Sequence, residues 1–203
     1  MGRIVVIDED NFTEAISEAA RLVQEGGLVA FPTETVYGLG ANALDEKAIE
    51  RIYKVKGRRA DKPLALLVAD RDAVKGLAAW IPDYALRLMD GYWPGPLTLI
   101  FKASREVPPS VKSPEGTIGV RMPDHLVALE LIRKSGVLLA ATSANLSGEA
   151  SRTTAHEVER DFGDKIDMII DGGATEVGVA STVVDATGDR PAVVREGSIR
   201  IEG

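Results

Sequence analysis

The chain has 203 residues, a net charge of −7 and no cysteine. This length fits one domain with its own hydrophobic core, and the absence of thiols excludes cysteine nucleophiles, iron–sulfur clusters and cysteine-ligated zinc. The acidic balance argues against generic attraction to nucleic acid or anionic lipid as the main activity.

The beginning of the chain carries a short apolar run, residues 4–7, which acidic residues interrupt at once. A signal peptide needs a longer apolar core, and a membrane-spanning helix needs about 20 apolar residues. Neither pattern occurs in the sequence. We therefore expect a cytoplasmic protein that does not contact the membrane, and the lack of cysteine fits a reducing compartment.

Helices are predicted where apolar residues recur at helical spacing between a capping residue and a glycine or proline. They run from Asn11 to residue 23, with Glu14 at capping-box spacing; from Asp45 to Gly57; from Asp70 toward Trp80; from Pro82 to the turn at 93–96; over 124–135; and from Thr154, with Glu157 in a second capping box, to Phe162.

Strands are predicted in short apolar runs between these helices. They cover residues 28–31, 64–68, 97–101, 117–122, 137–141, 166–170, 182–185 and 192–195. The alternation of the two patterns predicts one α/β domain over residues 1–203, with a twisted mixed β-sheet flanked by helices.

The first polar segment that could carry chemistry is the predicted loop 32–42, directly after a buried strand. It contains Thr33, Glu34, Thr35 and two glycines. Open α/β sheets tend to bind ligands at such strand ends, although a loop that satisfies its own backbone would look the same. A dinucleotide fingerprint beginning at Gly38 is a weak match, because six residues separate it from the strand.

The second segment is the run 51–62, which carries six cations and one acid. Arginine offers a planar fork to phosphate oxygens and lysine a compact charge, so Lys56, Arg58 and Lys62 could converge on one anionic ligand. The same pattern also suits a solvated helix end. No glycine-rich phosphate loop ending in Lys-Ser or Lys-Thr is present.

The third segment is 142–148, after the strand 137–141, where Thr142, Ser143 and Asn145 offer hydroxyl and amide groups. It suits phosphate or carboxylate binding, or a simple helix-entry turn. His125 and His156 lie in predicted first turns of helices, beside no nucleophile motif, and are expected to be surface or capping residues.

Several strings, in consistent order over residues 12–201, resemble the YrdC family of threonylcarbamoyl-adenylate synthases. They are Pro32-Thr33-Glu34-Thr35-Val36-Tyr37-Gly38-Leu39, Lys56-Gly57-Arg58, Trp93-Pro94-Gly95-Pro96-Leu97-Thr98, Gly119-Val120-Arg121-Met122-Pro123, Ser143-Ala144-Asn145, Ser181-Thr182-Val183-Val184-Asp185 and Arg195-Glu196-Gly197. The resemblance is to the short form with a single YrdC-like domain, and it implies a concave, basic groove.

The resemblance implies that L-threonine, bicarbonate and ATP give threonylcarbamoyl-AMP and pyrophosphate, for threonylcarbamoyladenosine modification of tRNA. It implies a nucleotidyltransferase in which Mg²⁺ is bound through the ATP phosphates rather than by protein ligands. The downstream tRNA threonylcarbamoyl transferase complex is the implied partner, with RNA binding weak or indirect.

The same resemblance assigns residues to the two substrates. Lys56 and Arg58 are the implied catalytic cations, Thr35, Arg121, Thr142 and Ser181 would hold threonine, and Arg121 would pair with the carboxylate as a bidentate fork. The implied nucleotide contacts are Arg58, Lys62, Thr117, Ser143, Asn145, Ser151 and Arg195.

One departure and two alternatives complete the sequence-based interpretation. Leu67 stands where many family members have histidine, so we transfer no threonine-binding role to it. An RNA-binding module is disfavoured by the net charge of −7. Carbamoyl transfer from carbamoyl phosphate, as in the related domain of hydrogenase maturation proteins, would need extra modules and cysteines that this chain lacks.

Overall fold

The computed structural model describes residues 3–59 and 61–201. Its centre is a mixed sheet of ten strands in the order β1-β8-β2-β3-β7-β4-β6-β5-β9-β10. The strands are β1 (Arg3–Val6), β2 (Val29–Phe31), β3 (Gly38–Asn42), β4 (Ala65–Leu67), β5 (Leu97–Lys102), β6 (Thr117–Arg121), β7 (Leu139–Ser143), β8 (Met168–Asp171), β9 (Thr182–Asp185) and β10 (Ala192–Arg195).

Six α-helices connect these strands in the described part of the chain. They are α1 (Phe12–Gln24), α2 (Glu46–Lys56), α3 (Val74–Leu77), α4 (Asp83–Tyr92), α5 (Leu126–Ser135) and α6 (Ala155–Phe162). Among residues 3–59 and 61–201, no helix is both long enough and apolar enough to cross a membrane.

The helices leave part of one sheet face uncovered. The core on one face joins α2, α4 and α6 to strands along most of the sheet. On the opposite face, α1 and α5 pack over strands from β8 to β4. The outer part of that second face, over β6, β5 and β9, therefore has no helix among the described residues to bury it, and this gap positions the site.

Strand β6 shows how alternation builds both a core and a site. Ile118 and Val120 are fully buried in the first core. Thr117, Gly119 and Arg121 point to the opposite face, because successive side chains of a strand alternate. This strand, which the sequence predicted over residues 117–122, therefore presents Thr117, Gly119 and Arg121 to the open face.

Several predicted features are confirmed. Asp45 caps α2 through the backbone amides of Lys47 and Ala48, and Gly57 ends the helix in the left-handed conformation with φ of 59°. Thr154 and Glu157 form the capping box of α6. His125 caps α5, since its Nδ1 accepts from the Val127 amide.

Two predictions were wrong in an informative way. The segment Gly38–Asn42 is not a loop but strand β3, paired with both β2 and β7. The ring of Phe31 lies so close to Gly40 that an added Cβ would come within 2.9 Å of it. Packing against this ring therefore makes glycines favourable in a strand, although their intrinsic preference is against one.

The other error concerns the start of α1. Asn11 does not form a capping box with Glu14. Its side chain accepts from the Asp8 amide and donates to the Val6 carbonyl, so it stabilises the turn between β1 and α1 instead. The predicted helix from Asp70 to Trp80 is also shorter, because only Val74–Leu77 is α-helical after a single 3₁₀ turn.

Candidate active site

The open face of the sheet forms a cavity of about 290 Å³. Its floor is a row of small residues that are neighbours on adjacent strands: Ala141, Ala65 and Gly119. Its walls carry three arginines and several hydroxyls: Arg58, Arg121, Arg195, Thr33, Thr98, Thr117, Thr142, Ser143 and Ser181. The small floor leaves space for a ligand, and the walls suit an anionic one.

The register of the strands separates the cavity into two ends. Leu67 and Arg121 are paired two residues beyond the floor row, at the ends of β4 and β6. Thr117 lies two residues before that row, so it is roughly 13 Å from Arg121 along the strand. Ser143, two residues beyond Ala141, lies on the Thr117 side. The cavity therefore has two ends, one beside Arg121 and one beside Thr117 and Ser143.

Arg121 lies at one end of the cavity, where β6 ends, and is 8% exposed. Its Nη2 donates to Glu34 Oε1 at 2.6 Å and to Thr35 Oγ1 at 2.9 Å, and its Nε donates to the Gly95 carbonyl. These bonds use the Nε–Nη2 edge of the guanidinium. The bidentate fork expected from the sequence is therefore corrected. None of the hydrogen bonds within the described part of the chain uses Nη1, so this nitrogen is available to a ligand.

Thr35 does not line the cavity, although the sequence placed it on the threonine. It is fully buried, and its hydroxyl lies between Arg121 Nη2 and the Thr33 hydroxyl, 2.9 Å from each. Thr33 does line the cavity. Thr35 is thus positioned to orient Arg121 rather than to contact a ligand in this conformation.

A short chain of polar contacts crosses the cavity beside Arg121. Ser181 Oγ lies 2.9 Å from Thr98 Oγ1, and Arg195 Nη2 donates to the Ser181 carbonyl at 2.7 Å. All three residues line the cavity. Burial and the neighbouring arginines Arg121 and Arg58 lower the pKa of Arg195, so this face already concentrates positive charge.

Arg58 occupies the other end of the cavity. The left-handed Gly57 turns the chain out of α2, and Arg58 Nε and Nη2 then donate to the carbonyls of Lys62 and Pro63 at 3.0 Å each. These bonds fix the guanidinium in the cavity wall. The Lys62 side chain is exposed and does not line the cavity. The structure therefore places Arg58 in the cavity wall with the other two arginines, but not the Lys62 ammonium.

Lys56 is the clearest correction to the expected phosphate contacts. It is 2% exposed and does not line the cavity. Its ammonium donates to the carbonyls of Ser143 and Asn145 from behind the loop that follows β7. The helical spacing from Ile49 and Ile52 to Lys56 places all three on the inward face of α2, a signal available in the sequence.

Two further expected nucleotide contacts are also outside the cavity lining. Asn145 is buried, and its amide donates to the carbonyls of Leu146 and Glu149, which closes the loop after β7. Ser151 is half-buried and lies beyond this loop. Thr117, Thr142 and Ser143 do line the cavity, as the sequence led us to expect.

Sequence reasoning assigned no substrate contact to several lining residues, among them Thr33, Thr98 and Leu67. Thr98 lies on β5 and Leu67 on β4, both within predicted strands. Strand alternation could have identified them, since each shares its face with a residue already expected in the site. Leu67 also belongs to the apolar core under α5, so it marks the boundary between core and cavity.

The chemistry of the lining suits an anion held by arginines and hydroxyls. No carboxylate stands among the lining residues, and the described residues hold no group of three histidine, aspartate or glutamate side chains suited to a metal ion. Together with the open sheet, this defines an α/β protein with a cavity for anionic small molecules.

Comparison with known proteins identifies the family. The family model Sua5_yciO_yrdC, described as "Telomere recombination", matches residues 21–197. The chain therefore belongs to the Sua5/YciO/YrdC family.

Individual relatives agree with this assignment. A protein of Pyrococcus abyssi named threonylcarbamoyl-AMP synthase is 50% identical over 197 residues, which is 95% of this chain and 58% of the relative. The structure of P. abyssi Sua5 complexed with L-threonine superposes with a TM-score of 0.90 at 48% identity, covering 97% of this chain and 57% of that one. Escherichia coli YciO gives 0.89 at 30% identity, covering 97% and 96%. The chain thus spans under three fifths of the P. abyssi proteins.

Proposed function

We propose that this chain is an L-threonylcarbamoyladenylate synthase, a nucleotidyltransferase that converts L-threonine, bicarbonate and ATP into threonylcarbamoyl-AMP and pyrophosphate. The observation that carries the proposal is the two-ended cavity, with Arg121 at one end and Arg58 and Ser143 at the other. Support comes from the relatives named threonylcarbamoyl-AMP synthase and from the L-threonine in P. abyssi Sua5.

Threonine is assigned to the Arg121 end. Its carboxylate would accept from Arg121 Nη1, the nitrogen that the bonds to Glu34, Thr35 and Gly95 leave available. Ser181 lines the cavity beside Arg121, and its hydroxyl can bond a polar group of the substrate. Thr142 lies next to Ser143, so its proposed contact with threonine would come from the direction of the nucleotide end. Thr35 contributes by holding the guanidinium in place, so its role is indirect.

ATP is assigned to the other end, with its phosphates near Arg58 and Ser143 and with Thr117 as a further contact. Arg195, which bonds Ser181 beside Arg121, would contact the nucleotide from the side of the threonine end. Three further residues would contact the nucleotide when the loops that carry them close over it: Lys62, Asn145 and Ser151. Fixed cations of this kind stabilise the charge that moves onto the phosphates during transfer.

The reaction proceeds in two bond-forming steps. The unprotonated amine of threonine forms a bond to the carbon of bicarbonate, with loss of water, or to carbon dioxide derived from it, with loss of the amine proton to solvent; either route gives a carbamate. A carbamate oxygen then attacks the α-phosphorus of ATP, the α–β phosphoanhydride breaks, and pyrophosphate leaves with the electron pair. Neither step needs a covalent enzyme nucleophile, so the chain's contribution is to position the reactants and to stabilise charge.

Magnesium fits this arrangement only as part of the nucleotide. The lining supplies hydroxyls and arginines but no carboxylate, so the phosphate oxygens of ATP would hold the ion. When bound, it neutralises phosphate charge and makes pyrophosphate a better leaving group. The proposed setting is the cytoplasm, where the product would pass to the tRNA threonylcarbamoyl transferase complex, with RNA contacts weak or indirect.

The proposal is tested by measuring pyrophosphate release from ATP with purified protein, omitting one substrate at a time. We expect release only when both L-threonine and bicarbonate are present, and D-threonine serves as the stereochemical control. Release that does not depend on threonine would contradict the assignment.

A further inference from the structure

The loop that follows β7 is held from behind by a buried lysine. Lys56 Nζ donates to the carbonyls of Ser143 and Asn145, and the Lys56 carbonyl accepts from the Ser147 amide at 2.9 Å. Ser143 lines the cavity, while its carbonyl accepts from Lys56. The last residue of α2 therefore fixes the backbone of a cavity-lining residue without entering the cavity.

The surroundings of the ammonium make this contact sensitive to charge. Two charged groups influence it: Arg58, on the segment after α2, and Asp161, on α6, which is itself paired with Arg152 at 2.7 Å. The ring of Phe162, also on α6, lies 6.0 Å from Nζ. Two carbonyl oxygens and a ring face thus offset part of the cost of burying this positive charge.

We propose that Lys56 is a positioning residue for the nucleotide, whose ammonium form holds the Ser143–Asn145 loop in the geometry that binds the ATP phosphates. This inference rests on the proposed function and assigns to Lys56 a role different from direct phosphate contact. The charged form donates stronger hydrogen bonds to the two carbonyls than the neutral amine does. A bound polyphosphate nearby also favours the charged form, so ATP binding and protonation of Lys56 are linked.

The titration behaviour supports this geometry. Burial is the main reason that the pKa of Lys56 falls to about 7, and Arg58 lowers it further while Asp161 opposes the shift. In the free protein the loop clamp therefore weakens as the pH rises above about 7. We expect the KM for ATP, measured at saturating threonine and bicarbonate, to rise over that range.

The test compares three variants with the wild-type protein. Lys56→Met removes the clamp with little change in volume, Lys56→Arg keeps a charge that does not titrate, and Lys54→Met changes an exposed lysine on the same helix as the matched control. We expect Lys56→Met to raise the KM for ATP by on the order of tenfold to 100-fold, the loss typical of charge-assisted bonds. The Lys54→Met variant should behave as wild type.

The pH profile separates positioning from a purely structural role. Lys56→Arg should keep a low KM for ATP and lose its pH dependence, and this variant decides the question if Lys56→Met does not fold. A wild-type KM and pH profile in Lys56→Met, or an unchanged pH dependence in Lys56→Arg, would overturn the proposal.

ATP affinity measured by calorimetry at pH 6 to 9 gives the same comparison without turnover. If the wild-type protein binds ATP but releases no threonine-dependent pyrophosphate, the proposed function fails while the role of Lys56 is still tested.

Discussion

Arg121 and Glu34 form a buried ion pair, with 2.6 Å between Nη2 and Oε1 and with only 10% and 9% of the two side chains exposed. Glu34 Oε2 is buried and has no hydrogen-bond partner among the described residues. The pair fixes the cation expected to bind the threonine carboxylate. Glu34 is thus bound to Arg121, a side chain of the cavity wall. It therefore does more than satisfy the backbone of its own loop.

Replacing Glu34 by glutamine should destabilise the fold. Removing one partner of a buried pair leaves the other charge uncompensated, at a cost of about 3 kcal/mol in the free energy of unfolding. Urea denaturation measures this loss. The control is Glu18→Gln, whose partner Arg3 is 64% exposed and whose loss should cost less than about 1 kcal/mol. An equal loss of unfolding free energy in both variants would show that the buried pair stabilises the fold no more than the exposed pair does.

Replacing Arg121 by alanine should weaken the binding of threonine far more than that of ATP. The variant loses the guanidinium at one end of the cavity and leaves Arg58 at the other end in place. Calorimetric titration with each substrate separates the two effects. An unchanged affinity for threonine would exclude Arg121 as the carboxylate contact.

Replacing Arg58 by alanine should reduce kcat/KM for ATP by about 100-fold, because a fixed cation at the transferring phosphates is lost. Arg59→Ala is the matched control, since Arg59 is the adjacent residue, is exposed and pairs with Asp61. Steady-state pyrophosphate release at saturating threonine gives both values. If Arg58→Ala turns over like Arg59→Ala, Arg58 has no part in the reaction.

The titration of Lys56 should make the free energy of unfolding rise with pH between about 7 and 10.5. Burial lowers the pKa of this group to about 7 from its ordinary value of 10.5, so over this range the unfolded chain binds a proton that the folded chain does not. Stability increases with pH wherever the unfolded state binds more protons. Lys56→Met should lose this contribution in urea titrations across the range, whereas identical pH slopes would contradict it.

Much of the fold could be predicted, because the spacing of apolar residues along a helix or strand and the capping of helix ends depend on residues that are close in the sequence. The helix from Asp45 to Gly57 and the capping box at Thr154 follow from side chains within a few residues of each other. Strand β3 could not be predicted, because its glycines are favoured by the ring of Phe31, a contact that depends on the pairing of β2 with β3.

The site was predictable to a similar extent. The order of the motifs selected Arg58, Arg121, Ser143 and Arg195, all of which line one cavity. Sequence order could not show which polar groups support the wall from behind. Thr35 and Lys56 are of that kind, since one contacts the Arg121 guanidinium and the other the Ser143 carbonyl.

The most direct test of the central claim is to identify the product. Incubation of the protein with ATP, L-threonine and isotope-labelled bicarbonate, followed by rapid mass spectrometry, should reveal threonylcarbamoyl-AMP that carries the label, together with pyrophosphate. The same incubation without threonine should give no labelled nucleotide. A labelled product that lacks threonine, or AMP and pyrophosphate with no label incorporated under conditions where the adduct is stable, would contradict the account.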